Sequence, residues 1–261
     1  MDFEILYILC IFIGILSGMA SGIFGLGGGI IIVPALLSFG LSSHVAVAMS
    51  ALQMIFASSF GSYLNYKKKN LDLKDGIFVG LGGLFGASFS GELIKLLSDT
   101  SLNALFLCVN IIFFVKFIFS FKTEARKSQR SENFKKFILF CAGAITGLFA
   151  ISLGIGGGLL ITPILAYFLG YDTKKTVCIS LFFIIFASLA GSFSFFRQGY
   201  ISEEVLIGGI LIGLSSMLGV FLGIKLMEKM QLKSHRNALA LVYIASICMT
   251  ANALLKKLEL Y

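Results

Sequence analysis

Eight long apolar stretches alternate with short polar breaks along this chain. They are Ile5–Leu41, Val45–Tyr66, Gly76–Leu97, Leu102–Phe121, Phe137–Leu169, Thr176–Phe196, Ile201–Ile224 and Ala238–Leu255. The breaks are Lys67–Asp75, Ser98–Ser101, Lys122–Lys136, Asp172–Lys175, Arg197–Tyr200 and Lys225–Arg236. A helix needs about 20 apolar residues to cross a bilayer, so the pattern predicts a polytopic, all-α membrane protein. Trp is absent, and Tyr7, Tyr63, Tyr66, Tyr167, Tyr171 and Tyr200 near the segment ends supply the aromatic belt in its place.

Ile5–Leu41 and Phe137–Leu169 are too long for one ordinary span, and each is interrupted by glycines. The first contains SGIFGLGGGIIIVPALLSFG and the second ISLGIGGGLLITPILAYFLG. Both carry Gly-x-Gly-Gly-Gly-x4-Pro: Gly25, Gly27, Gly28, Gly29 and Pro34, then Gly154, Gly156, Gly157, Gly158 and Pro163 at a constant offset. Pro34 and Pro163 are the only 2 prolines in the chain. The repetition continues, because Ile55-Phe56-Ala57-Ser58 recurs as Ile185-Phe186-Ala187-Ser188, Ser50 as Ser180, and Gly61 as Gly191. A duplicated half-chain marks many transporter folds. The division it predicts is a first transmembrane repeat over 1–121, a basic linker over 122–136 and a second repeat over 137–261.

Composition narrows the class further. Hydrophobic residues make up 57% and charged residues 13%, with 29 glycines. A soluble domain carries about 25% charged residues, and this chain could not cover a water-facing surface. Disorder needs the opposite composition. The net charge of +8 does not read as a nucleic-acid face, because the basic residues sit in short loops between apolar runs. Asp2 and Glu4 stand where a signal peptide would be basic, so Ile5 onward is expected to be a retained segment.

Those basic residues set the expected topology. Eight runs read as eight spans place 13 Lys/Arg on one side and 7 on the other. If each glycine-broken run instead enters and returns as a hairpin, the split becomes 16 to 4, with Lys116 inside a span. The second arrangement follows the positive-inside rule far better. It predicts three full helices plus one glycine-broken hairpin per half, hence inverted repeats, with up to 10 crossings if the hairpins span. The basic loops would then be cytoplasmic and both termini non-cytoplasmic.

Irregular backbone at membrane depth is tolerated where it is packed in protein or lines a wet cavity. Three consecutive glycines disfavour a continuous helix by about 1 kcal/mol each. The prolines push Val33 and Thr162 towards extended geometry. The expected local structure is a helix, an unwound turn, and a half-helix starting between Gly29 and Pro34, or between Gly158 and Pro163. Its free N–H groups and positive dipole end would bind an anion without a cationic side chain. Glycine there admits close approach of a ligand. No charged residue or His occurs from Ile5 to Ser43 or from Phe137 to Tyr171. The polar groups left in the interior are Ser50, Gln53, Ser58 and Ser59 in one half and Ser180, Ser188 and Ser192 in the other. Of these, Ser50, Gln53 and Ser180 join the glycines and prolines as candidate substrate contacts.

Other features read as structure. Gly14-x3-Gly18-x3-Gly22, Gly82-x3-Gly86, Gly209-x3-Gly213 and Gly219-x3-Gly223 are expected helix-packing faces. His44 and His235 fall in loops at opposite ends and make no metal site. Cys10, Cys108, Cys141, Cys178 and Cys248 lack the spacing of a disulfide or metal framework and read as buried thiols.

The doubled Gly-x-Gly-Gly-Gly-x4-Pro-x-Leu pattern, ending at Leu36 and Leu165, resembles the TauE/SafE sulfite-exporter family of membrane transporters over essentially the whole chain. That resemblance implies a carrier for small sulfur-containing oxyanions or organosulfonates such as sulfite, set in a bacterial inner membrane. The partners implied are a small anionic substrate and the lipid bilayer, with no nucleic acid and no cofactor; a homo-oligomer stays open. The motif residues carry over as Gly25, Gly27–Gly29, Pro34, Gly154, Gly156–Gly158 and Pro163. A carrier would work by alternating access about two half-helix N-termini, whereas an anion channel would use the same glycine turns open to both sides. An enzyme is not expected, since no nucleophile, metal cluster or acid–base pair stands out.

Overall fold

The computed structural model describes residues 3–71, 73–119, 132–171 and 173–258. Apolar, branched and aromatic side chains fill the runs. Within the helices the backbone groups bond inside their own segment, which meets the demand that lipid imposes. Among the described residues all regular structure is helical: α1 (Phe3–Phe24), α2 (Gly29–Ser38), α3 (Ser43–Lys67), α4 (Leu73–Ala87), α5 (Ser90–Lys95), α6 (Asp99–Phe119), α7 (Glu132–Ser152), α8 (Gly158–Leu169), α9 (Thr173–Arg197), α10 (Glu203–Lys229) and α11 (Leu232–Leu258). Among the described residues, seven spans are long and apolar enough to cross a membrane.

Helix direction follows from which glycines meet which neighbours. On α1, Gly14, Gly18 and Gly22 face Ser215, Ser216 and Val220 of α10 in the same chain order. On α10, Gly208, Gly209 and Gly213 face Met49, Leu52 and Phe56 of α3, again in order. So α1, α3 and α10 run parallel. In the same way Gly76 and Gly80 of α4 and Gly91 of α5 meet Phe182, Phe186 and Ser194 of α9, and Gly82 and Gly86 lie over Phe140 and Ala144 of α7. The first turn of α3 is bonded to the far end of α5: His44 Nε2 lies 3.2 Å from the carbonyls of both Ile94 and Leu97. The α4–α5 segment therefore runs opposite to α3, and with it α7 and α9. The leading helices of the two halves, α1 and α7, thus point in opposite directions, and the repeats are inverted. The antiparallel pair α6 and α11 completes the symmetry, with Arg236 donating to the Ile118 carbonyl (3.2 Å) at one end and Lys257 paired with Asp99 at the other.

The glycine faces expected from small-xxx-small spacing are all at these helix contacts. A Cβ at Gly18 would run into the Ser216 backbone, and one at Gly219 into the Ile15 carbonyl. Close backbone approach replaces the hydrophobic driving force that lipid removes. The most buried spans are α3 and α9, at the centre, while α6 and α11 lie outermost. Ile112, Phe119 and Leu241 point outwards, as lipid-facing side chains do.

One end of the bundle gathers the basic loops. Lys68 pairs with Glu228 at 2.6 Å, and Asp75 takes Lys135 at 2.8 Å and Lys175 at 3.2 Å. The opposite end is tied by Asp99, which holds Lys257 and the N–H and first turn of Ser43 and His44, while Tyr200 stacks on His44 at 5.0 Å. Among the described residues the basic loops therefore group as the sequence leads one to expect. Residues 122–131 of the 122–136 linker lie outside the described residues.

Some expectations fail locally. Val33 and Thr162 are helical. The half-helices begin a full turn upstream of the prolines, and bonds from Ile31 and Ile32 to the Gly28 carbonyl have already set the geometry that Pro34 continues. What Pro34 removes is one interior bond to Ile30, within its helix-compatible φ. The Gly76–Leu97 run breaks at Ser88–Phe89 into α4 and α5, with Ser194 Oγ accepting from the Gly91 N–H at 2.9 Å. Both histidines open helices rather than lying in loops. Cys108 and Cys248 are exposed on the outer helices rather than buried.

Candidate functional site

Helix α1 ends where Gly25, at φ +69°, leaves the right-handed region. Gly27 (φ +78°) and Gly28 (φ +94°) turn the chain back, and α2 starts at Gly29 with Gly28 as an N-cap that has no side chain to offer. At 22 residues α1 is about 33 Å long. At 10 residues α2 is only about 15 Å, half of the hydrocarbon thickness. It returns towards the end from which α1 set out. The second half repeats this with Gly154 (φ +64°), Gly156 (φ +80°) and the 12-residue α8 from Gly158. The expected half-helices are present, and their starts fall inside the expected windows.

The two turns are in contact across the centre of the molecule. A Cβ on Gly27 would sit 3.3 Å from the Gly156 Cα. Cβ atoms on Gly29, Gly156 and Gly158 would overlap the carbonyls of Gly154, Leu26 and Gly25 respectively. The outer glycines of each triplet, Gly27 and Gly29 with Gly156 and Gly158, thus let backbone cross backbone. Two buried hydroxyls tie the crossing. Ser50 donates to the Gly154 carbonyl at 3.0 Å and Ser180 to the Gly25 carbonyl at 2.8 Å. These repeat-equivalent serines each clamp the other half's turn.

Both turns leave N–H groups unreceived among the described residues, Gly156 to Gly158 at the second, and at the first they stand beside an unpartnered side-chain amide. Among the described residues, no acceptor receives the N–H groups of Leu26, Gly27, Gly28, Gly29 or Ile30, although all five residues are buried. Gln53 of α3 is 0% exposed, and neither of its amide atoms has a partner. A Cβ on Gly28 would lie 3.1 Å from both of them, so the amide is laid against the N-terminus of α2. Buried amides without partners cost about 1–3 kcal/mol each, and clustering them beside a helix N-terminus concentrates hydrogen-bond donors where negative charge is favoured.

The candidate residues therefore sort by position. Gly27, Gly28 and Gln53 border the donor cluster. Gly25, Gly29, Gly154, Gly156, Gly158, Ser50 and Ser180 hold the crossing, and Pro34 packs within buried α2. At Gly157 a Cβ would strike the ring of Phe183. Pro163 lies in α8, and its side-chain surroundings are outside the described residues. Ser17 was not foreseen. Its Cβ is 3.2 Å from the position of a Cβ on Gly28, and its hydroxyl donates to the Gly14 carbonyl at 3.0 Å. Its repeat counterpart Thr146 is fully buried with an unpartnered hydroxyl. Extending the glycine offset upstream would have paired the two.

Known proteins resemble most of the chain. The profile of the family described as "Sulfite exporter TauE/SafE" matches residues 10–250. A relative from Methanocaldococcus jannaschii, "Probable membrane transporter protein MJ0441", is 33% identical over 87% of this chain and 90% of its own length. "Probable membrane transporter protein YdhB" of Bacillus subtilis is 30% identical over 87% of this chain and 94% of its own. YunE of the same bacterium, named likewise, is 24% identical over 93% and 96%. No solved structure matches the chain.

Proposed function

From the premise that this chain belongs to the TauE/SafE sulfite exporter family of membrane transporters, we propose that it is a secondary carrier of small anions, sulfur oxyanions or organosulfonates such as sulfite. The observation that carries this reading is the buried, unpartnered amide of Gln53 set beside the N–H groups of Leu26 to Ile30, which no acceptor receives among the described residues. An anion accepts from several such donors at once, and the dipole of α2 adds to the attraction. A cation would face the same dipole with no carboxylate near it, since the turn-bearing segments hold no charged side chain. Inverted repeats supply two alternative packings of one half against the other, which is the usual basis of alternating access. The end that gathers the basic loops faces the cytoplasm in this proposal, and the membrane is the bacterial inner membrane.

The test is counterflow. Purified protein in liposomes preloaded with unlabelled sulfite should accumulate radiolabelled sulfite from outside transiently, and at a saturating rate. Flux that is neither saturable nor stimulated from the far side would replace the carrier with a channel. Equal competition from an amine would remove the anion assignment.

A further inference from the structure

The two glycine turns are alike in sequence but not in what faces them. At the first, Gly28 is opposed by Gln53. The position equivalent to Gln53, by the offset that relates Ser50 to Ser180 and Ile55 to Ile185, is Phe183. Phe183 is 0% exposed, and its ring occupies the space into which a side chain at Gly157 would project, touching Gly83 of α4 on its other edge. The backbone differs as well, since Gly28 has φ +94° whereas Gly157, its counterpart, is not among the positive-φ glycines. A phenyl ring offers no hydrogen bond to an oxyanion and excludes it from the space it fills. The Gln53 amide is buried with donor and acceptor both unused, a state that a packed interior rarely leaves uncompensated.

Resting on the carrier reading above, we propose that the anion binds at the first turn alone, as a single oxyanion headgroup held by the α2 N-terminus and the Gln53 amide, while Phe183 seals the second turn as a structural copy. Duplication would then have kept the crossing and its two serine clamps but specialised one turn for the ligand. The carrier holds one headgroup end-on and does not bridge a dianion between two dipoles. Gln53 is the residue that selects it.

The experiment uses the purified full-length protein, with sodium sulfite, sulfate and thiosulfate as separate probes, and reads melting temperature against anion concentration. Wild type should be stabilised saturably by at least one probe. The near-isosteric Gln53→Met should melt no lower than wild type without anion, because it removes an unsatisfied amide, yet its apparent Kd should rise at least tenfold. Gln53→Asn, which keeps an amide, should recover part of that loss. Phe183→Leu should melt lower but keep its Kd within threefold. Wild-type affinity in Gln53→Met, or a tenfold loss in Phe183→Leu, would overturn the single-turn assignment while leaving the carrier reading standing. Absence of stabilisation of wild type by every probe would overturn the carrier reading itself.

Discussion

Ser50 on α3 donates its hydroxyl to the carbonyl of Gly154, 104 positions away in the second repeat, at 3.0 Å. Its counterpart Ser180 does the same to Gly25 at 2.8 Å. A membrane serine often satisfies itself on its own helix, as Ser58 does on Met54. These two instead hold the unwound backbone of the opposite half. The crossing of the turns is therefore fixed by hydrogen bonds as well as by shape.

Removing either clamp should destabilise without redesigning the site. Ser50→Ala or Ser180→Ala leaves a buried carbonyl without its donor, at a cost of about 1–3 kcal/mol each. Because the two bonds tie the same pair of turns, the double variant should depart from additivity. Thermal unfolding in detergent measures this; two silent single variants would show that the bonds contribute nothing.

Glycines in the crossing should tolerate less than glycines in open loops. Gly29→Ala and Gly158→Ala drive a methyl group into the carbonyls of Gly154 and Gly25. Gly40 and Gly199 have positive φ, at +84° and +78°, which Gly29 and Gly158 do not, but nothing lies within 4 Å of a Cβ there. Alanine at Gly40 or Gly199 should cost about 1–2 kcal/mol of backbone strain. At Gly29 or Gly158 it should abolish recovery of folded protein, read by size-exclusion chromatography. Equal tolerance at the two classes would contradict the crossing.

Gly28→Val should separate transport from folding better than Gly157→Val. The first adds strain of about 1–3 kcal/mol at φ +94° and crowds Gln53, so anion flux should vanish while inserted protein persists. The second collides with Phe183 and should show itself as lost stability. The packing controls Gly82→Ala and Gly213→Ala should lower stability with less effect on flux per folded molecule. Normal flux in Gly28→Val would remove the first turn from the transport path.

Much of this fold was legible because lipid leaves few options. Run lengths gave the spans, the glycine offset gave the repeats, and the distribution of Lys and Arg separated the loops now seen at the two ends. The α4–α5 break was hidden because Ser88 and Phe89 sit in an unbroken apolar run, and tertiary bonds from Ser194 and Ser152 support it. Val33 is helical because a local preference before proline yields to a helix already nucleated at Gly28. At the site, Gln53 stood out as an uncharged polar residue in the interior. The clamping role of Ser50 and Ser180 depends on which carbonyl crosses them, and Phe183 looked like any core aromatic until its place opposite Gly157 was visible.

Orientation is open to direct labelling. Asn70 lies at the end bearing the basic loops and the exposed Glu203 at the other. In a cysteine-free background, Glu203→Cys should react with an impermeant thiol reagent applied to intact cells, and Asn70→Cys only after permeabilisation. The reverse pattern would turn the protein over in the membrane.

In this proposal the backbone of the first glycine turn holds the anion. Amide hydrogen exchange of the purified protein, followed through peptides covering Leu26–Ile30 and Gly156–Gly158 with and without the anion that supports counterflow, tests it most directly. The anion should slow exchange across Leu26–Ile30 and leave Gly156–Gly158 little changed. Unaltered exchange at Leu26–Ile30, with protection appearing elsewhere in the chain, would contradict it.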